Sequence, residues 1–136
     1  MNFNDWMENF DHSGRSMPTI MIVDDSNVIR NRIARGSESI ELEVVATAGN
    51  GKDAVQLYDL LRPDLVTMDL TMPQMDGLEC IQKIIDINED ANILVISALA
   101  DKATGIRALE YGARGFIYKP FSDEELFSAL RELLED

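Results

Sequence analysis

Five side chains in this sequence could act together on a phosphoryl group: the carboxylates of Asp24, Asp25 and Asp69, the hydroxyl of Ser97 and the ammonium of Lys119. Three carboxylates brought to one place repel each other, so the cluster demands a cation or raised pKa values. Oxygen donors of this kind suit Mg²⁺, which keeps several waters and accepts one or two carboxylates together with phosphate oxygens. A carboxylate can also be a nucleophile and form an aspartyl phosphate. The metal and Lys119 would then neutralise charge developing on the transferred group. Taken singly, each residue has a plainer reading. An acidic residue after a strand caps a helix, a Lys-Pro pair makes a turn, and a serine opens a loop. The chemistry therefore depends on convergence, and convergence depends on the elements that carry these residues.

Those elements are short apolar runs alternating with helical patterns. Thr19–Val23 is almost wholly apolar and stops at Asp24-Asp25. Similar runs occupy 43–48, 65–68, 93–96 and 115–118. Continuous rather than alternating hydrophobicity suits strands covered on both faces, as in parallel sheets. Between the runs, Ala54, Leu57, Tyr58 and Leu61 form one helical stripe, as do Leu78, Ile81 and Ile85, and Leu126, Leu130, Leu133 and Leu134. A weaker pattern, Ala103, Ile106 and Leu109, follows Asp101. Ser26 and Asp76 are N-cap candidates, Pro63 marks a boundary before a strand, and Ser122-Asp-Glu-Glu125 has the form of a capping box. Five strands alternating with five helices predict a doubly wound, three-layer α/β sandwich. In such a sheet every strand's carboxyl end lies on one edge, where ligands bind. Asp24 and Asp25 follow the first strand, Asp69 the third, Ser97 the fourth and Lys119 the fifth, so all five groups reach that edge.

Composition narrows the function. A chain of 136 residues fits one domain of the usual ~100–150 residues. A net charge of −13 opposes non-specific nucleic-acid binding and fits a divalent cation or partners with basic faces. Cys80 is the only cysteine, so no intrachain disulfide forms and a reducing, cytoplasmic compartment is expected. No signal peptide is evident, and no apolar run approaches the ~20 residues of a membrane helix.

The strings Asp24-Asp25, Met68-Asp69-Leu-Thr-Met-Pro-Gln-Met-Asp-Gly77, Ser97-Ala98 and Lys119-Pro120-Phe121 resemble those of the receiver domain of bacterial response regulators, in the expected order. The resemblance covers residues 18–136 and leaves 1–17 as an N-terminal extension. It implies the flavodoxin-like fold, a five-stranded parallel sheet of order 2-1-3-4-5 with five helices, for which a chemotaxis receiver is itself a reference case. It implies that Asp69 accepts a phosphoryl group from a histidine kinase or histidine phosphotransferase. Asp25, Asp69 and the backbone carbonyl of Thr71 would bind Mg²⁺, and Asp24 would act largely through water. Lys119 would contact the phosphoryl group, with a cis bond to Pro120. Ser97 would move to it, and Phe116 would swing into the vacated space. That motion would remodel the face built from the fourth helix, fifth strand and last helix, a population shift read by a downstream protein. Such a protein is a signalling switch, as a monomer or a phosphorylation-dependent dimer, catalysing only its own phosphorylation and dephosphorylation. A chemotaxis or phosphorelay role would follow.

This sequence departs from the family where Phe116 replaces a frequent Tyr, which removes any switch hydroxyl. The resemblance also implies that Thr71 and Leu99 stand at positions that tune phosphoryl lifetime in that family, where an apolar Leu99 would shield the group from water. A Mg²⁺-dependent phosphatase using Asp69 as nucleophile is the alternative. Such enzymes commonly carry a second Asp two residues on, where this chain has Thr71. A flavodoxin-like cofactor carrier is disfavoured because Asp-Asp-Ser follows the first strand where a phosphate cradle should be electropositive. Phe3, Trp6, Met7 and Phe10 have helical spacing, although so short a helix is marginal alone. His12 carries little weight as a ligand, Cys80 reads as a small core residue, and Met68, Met72 and Met75 read as packing around the site.

Overall fold

The computed structural model describes residues 16–72, 75–98 and 102–135. The N-terminal stripe, His12 and Leu99 lie outside the described residues. The strands are β1 (Thr19–Val23), β2 (Glu43–Ala48), β3 (Leu65–Met68), β4 (Ile93–Ser97) and β5 (Gly115–Tyr118). The helices are α1 (Asn27–Ser39), α2 (Gly51–Leu61), α3 (Gly77–Ile87), α4 (Lys102–Glu110) and α5 (Asp123–Glu135). All strand pairs are parallel, and the order is β2-β1-β3-β4-β5. A register shift between Ile20 and Met21 marks a bulge in the β1–β2 pair.

Strand periodicity sorts the apolar residues into two cores. Met21, Val23, Val66, Met68, Ile93 and Val95 meet α2, α3 and α4 through Ala54, Tyr58, Ile81, Ile84 and Ala108. Their neighbours Ile20, Ile22, Leu65, Leu94 and Ile96 point the other way, onto Ile33 of α1 and Leu126, Leu130 and Leu133 of α5. Each fully buried aliphatic side chain contributes roughly 1.5–3 kcal/mol, which explains why continuous apolar runs become the central strands.

The predicted caps form. Ser26 accepts from the Ile29 amide and Asp76 from the Glu79 amide, at 3.3 and 2.9 Å. Ser122 and Glu125 bond each other's amides reciprocally, at 3.0 and 3.4 Å. Such a cap contributes ~1 kcal/mol and fixes where the helix starts after its loop. Four large stripe residues depart from expectation. Leu61 is exposed because α2 ends at Arg62, which adopts a left-handed φ of 46°. In α4 only Ala108 is buried, while Ile106 and Leu109 face outward. The face of α4 that packs inward is thus the one carrying Ala108 rather than the Ile106–Leu109 stripe. Leu134 likewise sits at the rim of its stripe, partly exposed.

Candidate functional site

The loops leaving β1, β3, β4 and β5 bring the five predicted groups to the carboxyl edge of the sheet. Their backbones are locked to neighbouring strands: the Asp24 amide donates to the Ala48 carbonyl, Asp69 to Val23 and Lys119 to Ser97, all at 2.9–3.0 Å. The carboxylates therefore sit on extensions of the β-ladder rather than on mobile side loops. Asp24, Asp25 and Asp69 each place an oxygen within 4.8 Å of the others. Asp24 and Asp69 are buried, and Asp25 is exposed at the mouth.

Lys119 closes the cluster. Its Nζ lies 2.6 Å from Asp24 Oδ2 and 3.6 Å from Asp69 Oδ1. The other Asp24 oxygen accepts from the Ser26 amide at 2.9 Å. Both oxygens of Asp24 are thus engaged by the protein, which leaves Asp25 and Asp69 as the carboxylates best able to face an incoming cation. Burial pushes the Asp69 carboxyl up from 3.8 to about 6, helped by the negative charge of Asp24 and opposed by Lys119 and the Thr71 amide. That amide lies 3.4 Å from Asp69 Oδ1. A buried carboxylate with neighbouring anions is the environment that a divalent cation relieves. The all-oxygen donor set, with one exposed carboxylate, fits Mg²⁺ with retained waters.

Ser97 is fully buried below this edge, with its carbonyl held by Lys119. Phe116 is half-buried on β5, its ring 4.8 Å from that of Tyr118 and in contact distance of where a side chain at Gly105 would begin. The Lys119–Pro120 bond is cis. Met68 and Met72 are buried and Met75 packs against the same core, as packing residues should. Cys80 is buried with its thiol pushed up to about 12, so it remains an unreactive core group.

Three supporting residues have a role that the sequence alone does not explain. Arg30 of α1 donates to the Asp24 carbonyl at 2.5 Å and bonds Asn27, bracing the first acidic loop. Arg32 of α1 donates to the Phe121 carbonyl at 2.5 Å. Gly77 packs so closely under the Asp69 loop that a Cβ there would lie 2.3 Å from the Asp69 carbonyl oxygen and 2.6 Å from Leu70 Cα. Gly77 was quoted within the motif, but only the packing explains why it must lack a side chain.

Among the described residues no helix is long and apolar enough to cross a membrane. Residues 20–131 match the family model of the response regulator receiver domain. The chain is 41% identical to the chemotaxis protein CheY of Bacillus subtilis over 115 residues, 85% of this chain and 96% of that one. It is 39% identical to CheY of Listeria monocytogenes over 116 residues, covering 85% and 98%. Among solved structures, the CheX–CheY–BeF₃–Mg²⁺ complex from Borrelia burgdorferi matches with a TM-score of 0.86 at 28% identity, over 95% of this chain and 98% of that chain. Vibrio cholerae CheY4 matches with a TM-score of 0.80 at 27% identity, over 87% and 99%.

Proposed function

This chain belongs to the response regulator receiver family, and from that membership we propose that Asp69 carries the phosphoryl group by which it signals in a two-component system. The observation that carries this reading is Lys119 standing 2.6 Å from Asp24 and 3.6 Å from Asp69, within a cluster of three carboxylates. A lone buried acid has no use for such neighbours, whereas a phosphoacceptor needs cations on both sides of the developing charge.

In the proposed reaction an Asp69 carboxylate oxygen attacks the phosphorus of a phosphohistidine. The P–O bond forms as the P–N bond breaks, and the departing imidazole takes up a proton. Asp25, Asp69 and the Thr71 carbonyl would hold Mg²⁺, which when bound supplies charge neutralisation for the phosphoryl oxygens. Asp24 holds Lys119 in place, and Lys119 offers its ammonium to the phosphoryl group. Ser97 offers its hydroxyl. Water later attacks the same phosphorus and releases inorganic phosphate, regenerating the Asp69 carboxylate.

The donor is a histidine kinase or a histidine phosphotransferase. The output is a protein bound at the face formed by α4, β5 and α5, where Ile106, Leu109 and Tyr118 are exposed beside Phe116. The relatives named as chemotaxis proteins favour a chemotaxis partner. The chain acts as a switch and turns over no external substrate. Nothing in the site favours the phosphatase alternative: Thr71, two residues beyond Asp69, directs its amide at that carboxylate and carries no acid.

Incubation with acetyl phosphate and Mg²⁺, followed by intact mass measurement, tests the reading. One phosphoryl adduct is expected, lost without Mg²⁺ and lost in Asp69→Asn. An adduct that persists in Asp69→Asn would overturn it.

A further inference from the structure

The position of Lys119 depends on what holds the turn that follows it. On the strand side its amide donates to the Ser97 carbonyl at 3.0 Å. On the far side lies Phe121, buried against the core formed by α1 and α5. Arg32 of α1 covers that ring, its guanidinium carbon 4.4 Å from the ring centroid, and donates to the Phe121 carbonyl at 2.5 Å. A third contact, 3.7 Å to Asp123, is solvent-exposed and adds little. The ring contact and the carbonyl bond are the substantive ones, because the aromatic face is shielded on its other side by the core.

From this geometry we infer that Arg32 is a positioning residue for phosphoryl binding: it clamps the Lys119-Pro120-Phe121 turn and so fixes the reach of the Lys119 ammonium. The inference rests on the phosphoacceptor reading given above. Arg32 touches none of Asp24, Asp25 or Asp69 among the contacts described, so its influence reaches the site through the turn. The carboxylates are positioned independently, by the β-ladder bonds of Asp24 and Asp69. Loss of the clamp should therefore separate two properties that a general structural defect would impair together: metal binding by carboxylates, and binding of a phosphoryl mimic that also needs Lys119.

The test uses the full chain and calorimetric titrations of Mg²⁺ alone and of beryllofluoride at saturating Mg²⁺. Arg32→Met keeps the aliphatic stem and removes the guanidinium. It should weaken beryllofluoride binding about 3- to 10-fold, the range for loss of one charged clamp of this kind. Affinity for Mg²⁺ should stay within about twofold on the same grounds. Phe121→Leu, which keeps an apolar side chain but removes the ring, should act in the same direction and covers the case in which Arg32→Met folds poorly. Unchanged beryllofluoride affinity in both variants, or parallel losses of both ligands, would overturn the inference. Failure of the unaltered protein to bind beryllofluoride would instead overturn the phosphoacceptor reading.

Discussion

Replacing Asp69 with Asn should stabilise the metal-free fold, and by an amount that grows with pH. The folded protein holds the Asp69 carboxyl at about 6 against an ordinary 3.8, chiefly through burial and the charge of Asp24. Between those two values the folded state binds a proton that the unfolded state has released. Stability contributed by this group therefore falls as pH rises through about 4 to 6 and is level above it. At 1.36 kcal/mol for each pKa unit, the ionised carboxylate costs the fold about 3 kcal/mol at pH 8 and about 1.5 kcal/mol at pH 5. Asn keeps the shape and carries no charge, so its advantage over Asp should rise by about 1.5 kcal/mol between those conditions. Urea unfolding followed by circular dichroism, in chelator at pH 5 and pH 8, measures this difference. Taking the difference between the two proteins cancels the titration of every other carboxylate. Mg²⁺ supplies a second arm: at about 100 times its dissociation constant it should add about 2.7 kcal/mol to the Asp protein, nearly closing the gap at pH 8. An advantage of the same size at both pH values would refute the reasoning, as would an Asn protein less stable than its parent at pH 8.

Two further changes test the packing around the site. Among the described residues, the Thr67 hydroxyl on β3 is buried without a hydrogen-bond partner. Thr67→Val should therefore raise stability by about 1 kcal/mol in chemical denaturation, because it removes an unpaired polar group at constant shape; a loss would mean the hydroxyl has a hidden partner. Gly77→Ala should lower the unfolding free energy by more than about 2 kcal/mol, since its Cβ would collide with backbone that cannot rotate away. A thermal midpoint within a degree of the parent would show that the Asp69 loop yields more easily than its packing implies.

The strands and the acidic groups at their carboxyl ends were legible in the sequence because both depend on local features. A strand buried on both faces needs a continuous apolar run, and the run must stop where the chain turns at the polar edge, as at Val23 before Asp24. The caps were legible for the same reason, since Ser26, Asp76 and Ser122 act on amides three residues away. Features that depend on a neighbouring element were not. Ile106 and Leu109 have helical spacing, yet α4 packs through Ala108 and leaves both outward, a choice of face that only its neighbours decide. Arg32 is one of several arginines on α1, and nothing along the chain singles out the one that meets Phe121, 89 residues later. Gly77 stands in a motif, but its lack of a side chain is explained only by the Asp69 carbonyl pressed against it.

The Lys119–Asp24 ion pair joins residues 95 positions apart. A contact of that span forms only after the chain between has closed, so its loop entropy is met late, by the completed sheet. The two carboxylate strands at the centre and the lysine strand at the edge must all be in place before the ammonium reaches its partner. A half-made or locally opened molecule then has an acidic cluster without its cation, and would accept phosphate poorly. On the phosphoacceptor reading, the same arrangement would act as proofreading, tying receipt of the signal to a fully folded copy of the protein.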